Sequence, residues 1–482
     1  MATRLSPDER RALGRQARER VPRSSHAGWR PANDRADPLV LLEEQNRTRE
    51  PDLVPVRHGR MMVSPFTFYR GTARIMAADL ARTPTAGLDV QLCGDAHLSN
   101  FGVFASPERR LLFDLNDFDE TLPGPFEYDV ERMAASFTIA ARNNGFAKAD
   151  QRAATLAAVR AYREAMAGFA AMRTMEVWYA SLSDEDMMSA MRSMLAQTER
   201  EVRKGKLDRK SAQSAQKAAS TAERARDKAR TRDSLQALSK LGEVVDGQVR
   251  IVSQPPVVVP MREMAAYYGV SPEGIDEAIR TQYEGYRASL PDDRRHLLEQ
   301  FRIVDVARKV VGVGSVGTRA FIALLQGRDD ADPLFLQVKE ATASVLEEHL
   351  PASRYEQHGE RVVQGQRLMQ AASDIYLGWT RGADRDRHFY WRQLRDMKGS
   401  PLVEAMTPVG LTFYARVCGW TLARAHARSG DSVAIAAYLG KSDAFDRSML
   451  AFSERYADRT ERDYEEFAKA IRSGRLRAME GV

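Results

Sequence analysis

The stretch IVDVARKVVGVGSVGTRAFIALLQG, residues 303–327, decides the fold that we predict for this chain. Two apolar, β-branched runs flank the spacing G-x-G-x-x-G, formed by Gly312, Gly314 and Gly317 with Ser315 between them. A dinucleotide-binding fold needs a helix at the third glycine, whereas the residues that follow here are typical of a strand. The pattern therefore predicts a strand–glycine loop–strand hairpin. Such a loop offers backbone N–H groups to a phosphate where a Cβ would obstruct it.

A lysine lies in the next apolar run, FLQVKEA (residues 335–341), which is typical of a third strand. Lys339 is placed to reach the same phosphates, although an exposed edge-strand lysine is an equally good interpretation of this segment alone. GQVRIVSQPPVVVPM (247–261) indicates an edge strand or a linker, because it contains Pro-Pro. IYLGWTR (375–381) and FYWRQLRD (389–396) indicate two more strands. Together these segments predict a small β-rich region near 245–398.

Helical patterns occupy most of the remaining chain, so the predicted class is α+β. LDVQLCG (88–94) predicts a buried strand, and residues 101–119 predict a strand hairpin that turns at Ser106–Arg109. Helices are predicted from residue 125 to about 240, over 355–372, and from about 402 onward. The predicted divisions are a charged N-terminal arm (1–60), a part with most of the acidic motifs (61–195), a basic helical insertion (196–240), the β-rich part (241–400) and C-terminal helices (401–482).

The densest cluster of ionisable residues lies in CGDAHLSNFG (93–102) and FDLNDFDE (113–120). Asp95 and Asn100 follow a predicted strand, and three further aspartates end the hairpin: Asp114, Asp117 and Asp119. Carboxylates beside an amide oxygen suit Mg²⁺, whereas the same acids with His97 suit a transition metal. Asp and Asn are also common turn residues. Crowding these acids between apolar runs costs desolvation free energy, which favours the functional interpretation.

Length and composition exclude several classes of protein. With 482 residues, the chain exceeds what one hydrophobic core needs, so two or more subdomains are expected. No run of 18 uncharged apolar residues occurs, and the first residues are too charged for a signal peptide, so neither a membrane span nor a membrane partner is expected. Cys93 and Cys418 cannot form a disulfide framework and are expected to be buried apolar residues. These features predict a cytoplasmic protein.

The positive charge is local. The net charge is +6, yet residues 200–233 alone hold twelve Lys or Arg against five Asp or Glu. The favoured interpretation is a solvated helical face, because Ala, Gln, Lys and Arg all favour helix. The alternative is an anion-binding surface for nucleic acid or a phosphorylated partner. No aromatic residue interleaves the charges, so the base-stacking pattern of single-strand binders is missing.

These motifs resemble those of known enzymes. GDAHLSN looks like the G-D-x-H-x-x-N catalytic loop of aminoglycoside phosphotransferases and choline-kinase-like enzymes, relatives of protein kinases. NDFDE resembles their acidic metal-binding motif, GPFEYDV the start of the helix that follows, and VGVGSVG with QVKEA their glycine loop and strand lysine. The whole chain also resembles an uncharacterised bacterial family, domain of unknown function 2252, through SPFTFYRG, CGDAHLSNFG, NDFDE, QVKEA and RVVQGQR. The second resemblance supplies no function by itself.

The first resemblance implies roles in the catalytic loop and the acidic motif. Asp95 would accept or orient the proton of a substrate hydroxyl. His97 is the second predicted catalytic residue, and it would support the loop by hydrogen bonding rather than bind a metal. Asn100 would hold a metal, and Asp117 would be the main Mg²⁺ ligand, with Asp119 or Asp114 as rivals. Asp129 would buttress the loop from the following helix.

It also implies a two-lobe, protein-kinase-like fold with a helical large lobe and a small β-rich nucleotide lobe. The glycine loop (Gly312, Gly314, Ser315, Gly317) and Lys339 would bind the ATP phosphates. Lys339 would pair with a glutamate on the next long helix, Glu360 first and Glu356 in reserve. FYWRQLRD would end in the hinge beside adenine.

Two departures from the family pattern stand out. Cys93 replaces the histidine that usually precedes Gly-Asp. The order of the lobes is also reversed, because Asp95 lies about two hundred residues before the glycine loop. Circular permutation explains this order and is tolerable where termini lie at the surface. LTFYARVCGWTLARAHARSGD (411–431) resembles the helix that normally leads into the catalytic loop, although an ordinary amphipathic helix is the alternative.

The resemblance thus implies an ATP- and Mg²⁺-dependent phosphotransferase that acts on a hydroxyl, of a small molecule rather than a protein. The alternatives are AMP transfer on the same fold, a metal-dependent hydrolase built on four residues, and a non-catalytic protein whose basic helix binds nucleic acid. The hydrolase set is Asp95, His97, Asp114 and Asp117. Arg70 and Gly71 lie either near the phosphates or, for Arg70, in an ion pair with a core carboxylate. Four aromatic residues are expected in the core or the cleft wall: Tyr376, Trp379, Tyr390 and Trp391.

Overall fold

The computed structural model describes residues 5–205, 208–245, 248–394 and 396–481. The fold is mixed α and β, as predicted, with a body of helices beside one six-stranded antiparallel sheet and three two-stranded pairs. Over these residues, no helix combines the length and the apolar composition that a membrane span requires.

The N-terminal segment is more regular than its charged composition indicates. Five helices occupy its described part and the residues after it: α1 (Pro7–Arg20), α2 (Pro38–Asn46), α3 (Val54–Met61), α4 (Pro65–Arg70) and α5 (Ala73–Leu80). Local signals start several of them, since Ser6 and Glu9 form a capping box at α1, and Ser64 caps α4 ahead of Pro65. The described residues of the expected charged arm, 5–60, are therefore largely helical and folded onto the molecule.

Four short strands carry the acidic motifs. They are β1 (Asp89–Leu92), β2 (Phe101–Ala105), β3 (Leu111–Leu115) and β4 (Leu122–Pro125). The antiparallel hairpin of β2 and β3 turns at Ser106–Arg109, where the Arg109 N–H donates to the Ser106 carbonyl at 2.9 Å. This confirms the predicted turn. β1 pairs with β4, which brings both ends of the motif region to one edge.

A run of helices follows: α6 (Phe126–Asn143), α7 (Lys148–Ala171), α8 (Thr174–Tyr179), α9 (Asp184–Arg203), α10 (Arg209–Arg230) and α11 (Ser234–Leu241). α6 lies at the centre of the body and is buried almost all round from Phe126 to Ala141. The basic insertion is helical, as predicted. α10 buries only four alanines, and most of its Lys and Arg side chains are exposed, which fits a solvated face.

The next part of the chain builds the sheet. Its elements are β5 (Gly242–Val245), β6 (Gln248–Ile251), β7 (Val258–Pro260), α12 (Ala265–Tyr268), α13 (Pro272–Ala288), α14 (Asp292–Leu298), β8 (Arg302–Lys309), β9 (Ala320–Gln326), β10 (Pro333–Ala341), α15 (His358–Met369), β11 (Gly378–Arg381) and β12 (His388–Gln393). The sheet order is β11-β12-β10-β9-β8-β7. β7 follows Pro255-Pro256 and lies at the edge, as one of the two interpretations predicts. β8 and β9 flank the glycine loop, which confirms that hairpin.

Each face of the sheet has its own core. On one face, Trp391 stacks on Tyr286 of α13, with ring centroids 4.5 Å apart. On the other face, Ala237 and Leu241 of α11 pack with Phe335 and Leu394. Helix α11, at the end of the basic insertion, therefore covers part of the sheet.

Three helices complete the body: α16 (Pro408–Ser429), α17 (Ser432–Leu439) and α18 (Ala444–Arg472). α16 packs along α7, and the contact is close at Gly419, where an added Cβ would lie 2.1 Å from the Ala158 carbonyl oxygen. α17 packs on α1, so the N-terminal and C-terminal segments join in one body.

Candidate active site

A cavity of about 730 Å³ lies between the sheet and the helical body. Residues far apart in the sequence meet in it. Its lining includes the predicted residues Asp95, His97, Asn100, Asp117, Asp119, Gly312, Gly314 and Ser315. The tertiary structure thus gathers two motifs that about two hundred residues separate.

The loop after β1 is held from beneath by α6. Asp129 accepts hydrogen bonds from the Cys93 N–H at 2.7 Å and from the Gly94 N–H at 2.9 Å. These two hydrogen bonds are the contacts that the supporting role implied for Asp129 requires. Gly94 has a φ of 84°, and an added Cβ would lie 2.1 Å from the Glu120 carbonyl oxygen, so this turn requires glycine. On the far side of Asp129, His426 of α16 lies 3.1 Å away through its Nε2.

One oxygen of the Asp95 carboxylate is bound by a neighbouring side chain, and the other is not. Its Oδ1 accepts a hydrogen bond from Arg132 Nε at 2.7 Å, and Arg132 is in turn fixed over the Tyr69 ring, 3.9 Å from the ring centroid. The Asn100 side chain donates to the Asp95 carbonyl oxygen at 2.6 Å, which ties the two residues together. Asp95 lines the cavity, and Oδ2 is the oxygen left for a ligand.

His97 is buried at the cavity wall, and its ring makes no hydrogen bond to the described residues. Its Nε2 lies 3.6 Å from Asp95 Oδ2, too far for a hydrogen bond, and its Nδ1 has no partner among the described residues. Burial lowers the pKa of His97 to about 3, so the ring is neutral. The loop is supported by its backbone instead, because the His97 N–H donates to the Asp95 carbonyl at 2.8 Å.

The acidic motif faces the strand lysine. Lys339 Nζ lies 2.6 Å from Asp119 Oδ2 and 3.5 Å from Asp117 Oδ1, and the Tyr390 hydroxyl donates to Asp119 Oδ1 at 2.7 Å. Both oxygens of Asp119 are thus engaged, whereas Asp117 is freer. Burial opposes the charge of Asp117, but Lys339, Arg392 and Lys398 outweigh it and lower its pKa. Asp117 is therefore the better candidate metal ligand.

Lys339 is not an edge-strand lysine. β10 lies inside the sheet between β9 and β12, and the Lys339 side chain is 3% exposed. Burial alone would lower its pKa, but Asp117 and Asp119 more than compensate and raise it, so the amine is charged.

The glutamate partner implied for Lys339 is wrong. Among the described residues, Lys339 forms ion pairs with Asp117 and Asp119, and with neither Glu360 nor Glu356. The inward position on α15 belongs to Arg361, about 100° round the helix from Glu360. Arg361 donates to the carbonyls of Thr121 at 2.6 Å and Asp119 at 2.7 Å.

Asp114 is wrong as a rival metal ligand. It is 1% exposed, forms an ion pair with Arg424 of α16, and accepts from the Ala371 N–H at 2.9 Å. It therefore acts in the core and does not line the cavity. Asp114 was also one of the four residues of the hydrolase hypothesis.

The oxygen donors of the cavity fit Mg²⁺ in a restricted way. No group of three or more His, Cys, Asp or Glu side chains in the described part of the chain is arranged to hold a metal ion by itself. Mg²⁺ commonly uses only one or two carboxylates together with substrate phosphates and water. Asp117 and Asn100, which both line the cavity, can provide such a partial site.

The glycine loop is held by the N-terminal segment, which the sequence did not reveal. The Glu50 N–H donates to the Gly317 carbonyl at 2.7 Å, and Arg49 donates to the Val316 carbonyl at 2.5 Å. Gly317 has a φ of 89°, and an added Cβ would lie 3.0 Å from Arg49. At the loop centre, Ser315 Oγ lies 3.4 Å from Asp119 Oδ2.

Two arginines bring positive charge to the same cavity. Arg70 lines it with Gly71, and within the described residues it has no ion pair, while its Nε is buried without a partner. This excludes the core ion pair as its role in the described structure. Arg49 is almost fully buried, and burial lowers its pKa to about 10. Only Arg70 had a sequence signal, its place in SPFTFYRG.

The remaining predictions concern aromatic and thiol groups. Tyr390 is a buried core residue whose hydroxyl binds the cavity residue Asp119, and Tyr376 and Trp391 lie in the core of the sheet. Trp379 packs at a core margin beside Arg367. Cys93 and Cys418 are free and buried, as predicted.

Comparison with known proteins gives one match. A family model described as an uncharacterized protein conserved in bacteria (DUF2252) matches residues 49–470. Neither the curated proteins nor the solved structures contain a match.

Proposed function

This chain belongs to the DUF2252 family. We propose that it is an ATP- and Mg²⁺-dependent transferase that moves either the γ-phosphate or AMP from ATP onto a hydroxyl. The observation that carries this proposal is the meeting of Asp95, Asp117 and the glycine loop in one cavity, with Lys339 on Asp117 and Asp119. Positioning and charge neutralisation are the main requirements of phosphoryl transfer.

We further propose that the fold is kinase-like and circularly permuted. The sheet with α15 would be the small lobe, and the helices the large lobe. The end of α16 supports this, because the Gln91 N–H of β1 donates to Ser429 Oγ at 3.1 Å. An added Cβ at Gly430 would also lie 2.9 Å from the Asp89 carbonyl oxygen. α16 therefore ends beside β1, where an unpermuted chain would run directly into the catalytic loop.

The residues of the chain would act as follows. Asp95 Oδ2 would orient the acceptor hydroxyl and take its proton, and Arg132 would fix the carboxylate through Oδ1. Lys339 would move from Asp119 towards the phosphates. Asp117 and Asn100 would hold Mg²⁺, which neutralises phosphate oxygens when it is bound. The glycine loop would provide N–H groups above them.

Transfer of the γ-phosphate and transfer of AMP use these same parts. They differ in which phosphorus atom of the triphosphate faces Asp95. A small-molecule hydroxyl remains the acceptor that the resemblance implies. Asp114, one of the four residues of the hydrolase hypothesis, does not line the cavity, because it forms an ion pair with Arg424 in the core.

The test combines binding and turnover. The full chain is incubated with ATP and Mg²⁺, and ADP, AMP and pyrophosphate are separated by chromatography. We expect nucleotide turnover that falls at least about 100-fold in Asp95→Asn, the usual contribution of a general base. It should also fall in Asp117→Ala, which would lose a ligand of the Mg²⁺ ion. Glu360→Gln is the matched control and should retain turnover, because Glu360 does not contact Lys339.

Two outcomes would contradict the proposal. If ATP gives no product and no Mg²⁺-dependent thermal shift, the proposal is wrong. Turnover that survives in Asp95→Asn would remove Asp95 from the reaction.

A further inference from the structure

The charges that line the cavity of about 730 Å³ are unevenly matched. Each carboxylate of its wall has a partner within the protein, either a cationic side chain or a backbone N–H group. These carboxylates are Glu44, Asp95, Asp117, Asp119, Glu120, Glu340, Glu347 and Glu348. Among the arginines of the wall, Arg74 is in ion pairs, whereas Arg47, Arg49 and Arg70 have no carboxylate partner in the described part of the chain. An unpaired, partly buried charge costs free energy that a bound anion would recover, so the wall suits an anionic ligand.

The two inner arginines lie near different groups of the site. Arg49 donates to the Val316 carbonyl of the glycine loop. Burial lowers its pKa, and the carboxylates that oppose this shift belong to the acidic motif and β10. Burial lowers the pKa of Arg70 as well, but there the opposing carboxylates are Glu404 and Asp95. Arg49 therefore belongs to the nucleotide side of the proposed site, and Arg70 to the side of the acceptor.

Arg70 is held close to Asp95 through the residue that precedes it. Arg132 donates through Nε to Asp95 Oδ1 at 2.7 Å and through Nη2 to the Tyr69 carbonyl at 2.8 Å. The Tyr69 hydroxyl in turn donates to the Arg132 carbonyl at 2.9 Å. One buried arginine therefore fixes both the Asp95 carboxylate and the peptide group that joins Tyr69 to Arg70.

The Arg70 side chain lacks a partner among the described residues, although the backbone around it is fixed. Its Nε is buried without a partner, and no hydrogen bond or ion pair from these residues reaches Nη1 or Nη2. The carbonyl of the next residue, Gly71, accepts from Arg57 Nη2 at 2.9 Å. An added Cβ at Gly314 would lie 3.1 Å from the Arg70 carbonyl oxygen, so the centre of the glycine loop lies against the same backbone. Arg70 is therefore positioned where the glycine loop approaches Asp95.

The proposed reaction has two ligands that an arginine in this place can bind, the nucleotide and the acceptor. The phosphates of ATP have the glycine loop, Lys339 and Mg²⁺ as their proposed partners. The acceptor has only Asp95, which binds its hydroxyl. A guanidinium group binds a carboxylate or a phosphate through two parallel hydrogen bonds. Arg70 would thus hold the acceptor at a second point and orient its hydroxyl at Asp95.

We propose that the acceptor is a small hydroxyl compound that also carries an oxyanion, a carboxylate or a phosphate, and that Arg70 binds this oxyanion while Asp95 binds the hydroxyl. The inference rests on the proposed function and names the class of acceptor. Arg70 determines specificity and takes no part in the chemical step, because the proton of the hydroxyl goes to Asp95. Its charge also repels cationic acceptors, which favours the anionic class further.

The first test measures anion binding without turnover. The full chain is saturated with Mg²⁺ and the β,γ-imido analogue of ATP, and inorganic phosphate or acetate is then titrated while its binding is followed by NMR of the anion. We expect at least one of the two anions to bind, and its affinity to fall at least about tenfold in Arg70→Gln, the effect of losing a hydrogen bond between charged groups. This variant should fold, because the Arg70 guanidinium has no hydrogen bond or ion pair with the described residues.

Arg82→Gln is the matched control. It removes the same charge outside the cavity, from an exposed ion pair with Asp34, and should keep the affinity for the anion. Equal anion affinity in the natural chain and in Arg70→Gln, or no anion binding at all, would overturn the inference. Anion binding that the ATP analogue displaces would assign Arg70 to the phosphates of the nucleotide, which also overturns it but leaves the proposed transferase standing. Failure of the analogue to bind with Mg²⁺ would defeat both.

The second test identifies the class of acceptor by turnover. A small-molecule extract of bacterial cells is divided by anion exchange into a retained, anionic fraction and an unretained fraction, and each is incubated with the full chain, Mg²⁺ and ATP labelled at the α- or the γ-phosphate. We expect label transfer to compounds of the anionic fraction. At limiting acceptor its rate should fall at least about tenfold in Arg70→Gln, while the KM for ATP changes by less than about twofold. Transfer to the unretained fraction, or to neither, would overturn the inference.

Discussion

The charge and the orientation of individual site residues are set by burial and by one or two neighbouring groups. Asp95 shows this most clearly, since Arg132 holds one oxygen at 2.7 Å and leaves the other for a ligand. Breaking a buried ion pair leaves one charge uncompensated, so Arg132 fixes both the stability and the direction of Asp95. Lys339 is held in the same way by Asp117 and Asp119. The site is thus preorganised by charge, one residue at a time.

Glu127 provides a prediction at this scale. It is fully buried on α6, where its Oε1 accepts from the Ala86 N–H at 2.7 Å and its Oε2 has no partner within the described residues. Burial raises the pKa of Glu127 to about 8. The folded state therefore holds a proton that the unfolded chain releases above its ordinary pKa. Stability should be greatest below about pH 4.5 for this group and fall until about pH 8.

Thermal unfolding at pH 5 and pH 8 checks this prediction. Glu127→Gln, which cannot ionise, should lose less stability between the two values than the natural chain, by on the order of 3 kcal/mol. Glu164→Gln is the control, because that side chain is 62% exposed. An equal loss in the natural chain and in Glu127→Gln would show that Glu127 is already ionised when folded.

At the scale of elements, close contacts between helices set the position of the loop that follows β1. α6 holds the loop through Asp129, and α16 holds Asp129 through His426. α16 is itself positioned by α7, whose Tyr162 hydroxyl lies 2.9 Å from His426 Nδ1. The close packing of α16 on α7 therefore helps to position the loop that follows β1.

Gly419 tests that approach. Because an added Cβ would lie 2.1 Å from the Ala158 carbonyl oxygen, Gly419→Ala should push the helices apart and destabilise the fold by about 2 kcal/mol in urea unfolding. Gly168→Ala on α7 is the matched control. Nothing lies within 4 Å of its added Cβ, so it should stabilise the helix by about 0.5 kcal/mol. Equal effects of the two substitutions would mean that the close contact does not limit packing.

At the scale of the whole molecule, the N-terminal segment joins the sheet to the helical body. Glu50 is 1% exposed and binds Arg319 at 2.9 Å and Arg308 at 3.4 Å, while its N–H holds the glycine loop. The neighbouring Arg49 holds the same loop through Val316. The cleft is therefore closed on one side by residues that precede every predicted motif.

Glu50→Gln tests this connection. Arg308 and Arg319 would each lose one of their two acidic partners, and the lost one is the more buried, so we expect a loss of about 2 kcal/mol in the free energy of unfolding. We also expect faster amide exchange over 310–319. Asp52→Asn, whose side chain is 36% exposed in its pair with Arg308, should cost less than about 1 kcal/mol. Unchanged exchange in the glycine loop of Glu50→Gln would show that the segment does not hold it.

The sequence by itself determined the elements and the local motifs. Alternating apolar residues and turn signals predicted β2, β3, β8, β9 and β10, and helical spacing predicted α6, α15 and α16, because these signals depend on neighbours along the chain. The same local reasoning identified Asp95, Asn100, Asp117, Lys339 and the glycine loop, which line or adjoin one cavity. Hydrophobic periodicity does not reveal the helices of the N-terminal segment, because they begin at capping residues within a charged sequence.

Only the tertiary structure decided which residues face one another. Asp114 and Asp117 lie three residues apart, yet one is bound to Arg424 in the core and the other faces the cavity. Glu360 and Arg361 are adjacent, and the arginine takes the inward position. Arg49 and Arg70 reach the cleft from the N-terminal segment, far along the chain from the glycine loop. Ion pairs and packing between distant segments depend on three-dimensional distance, which the order of residues along the chain does not specify.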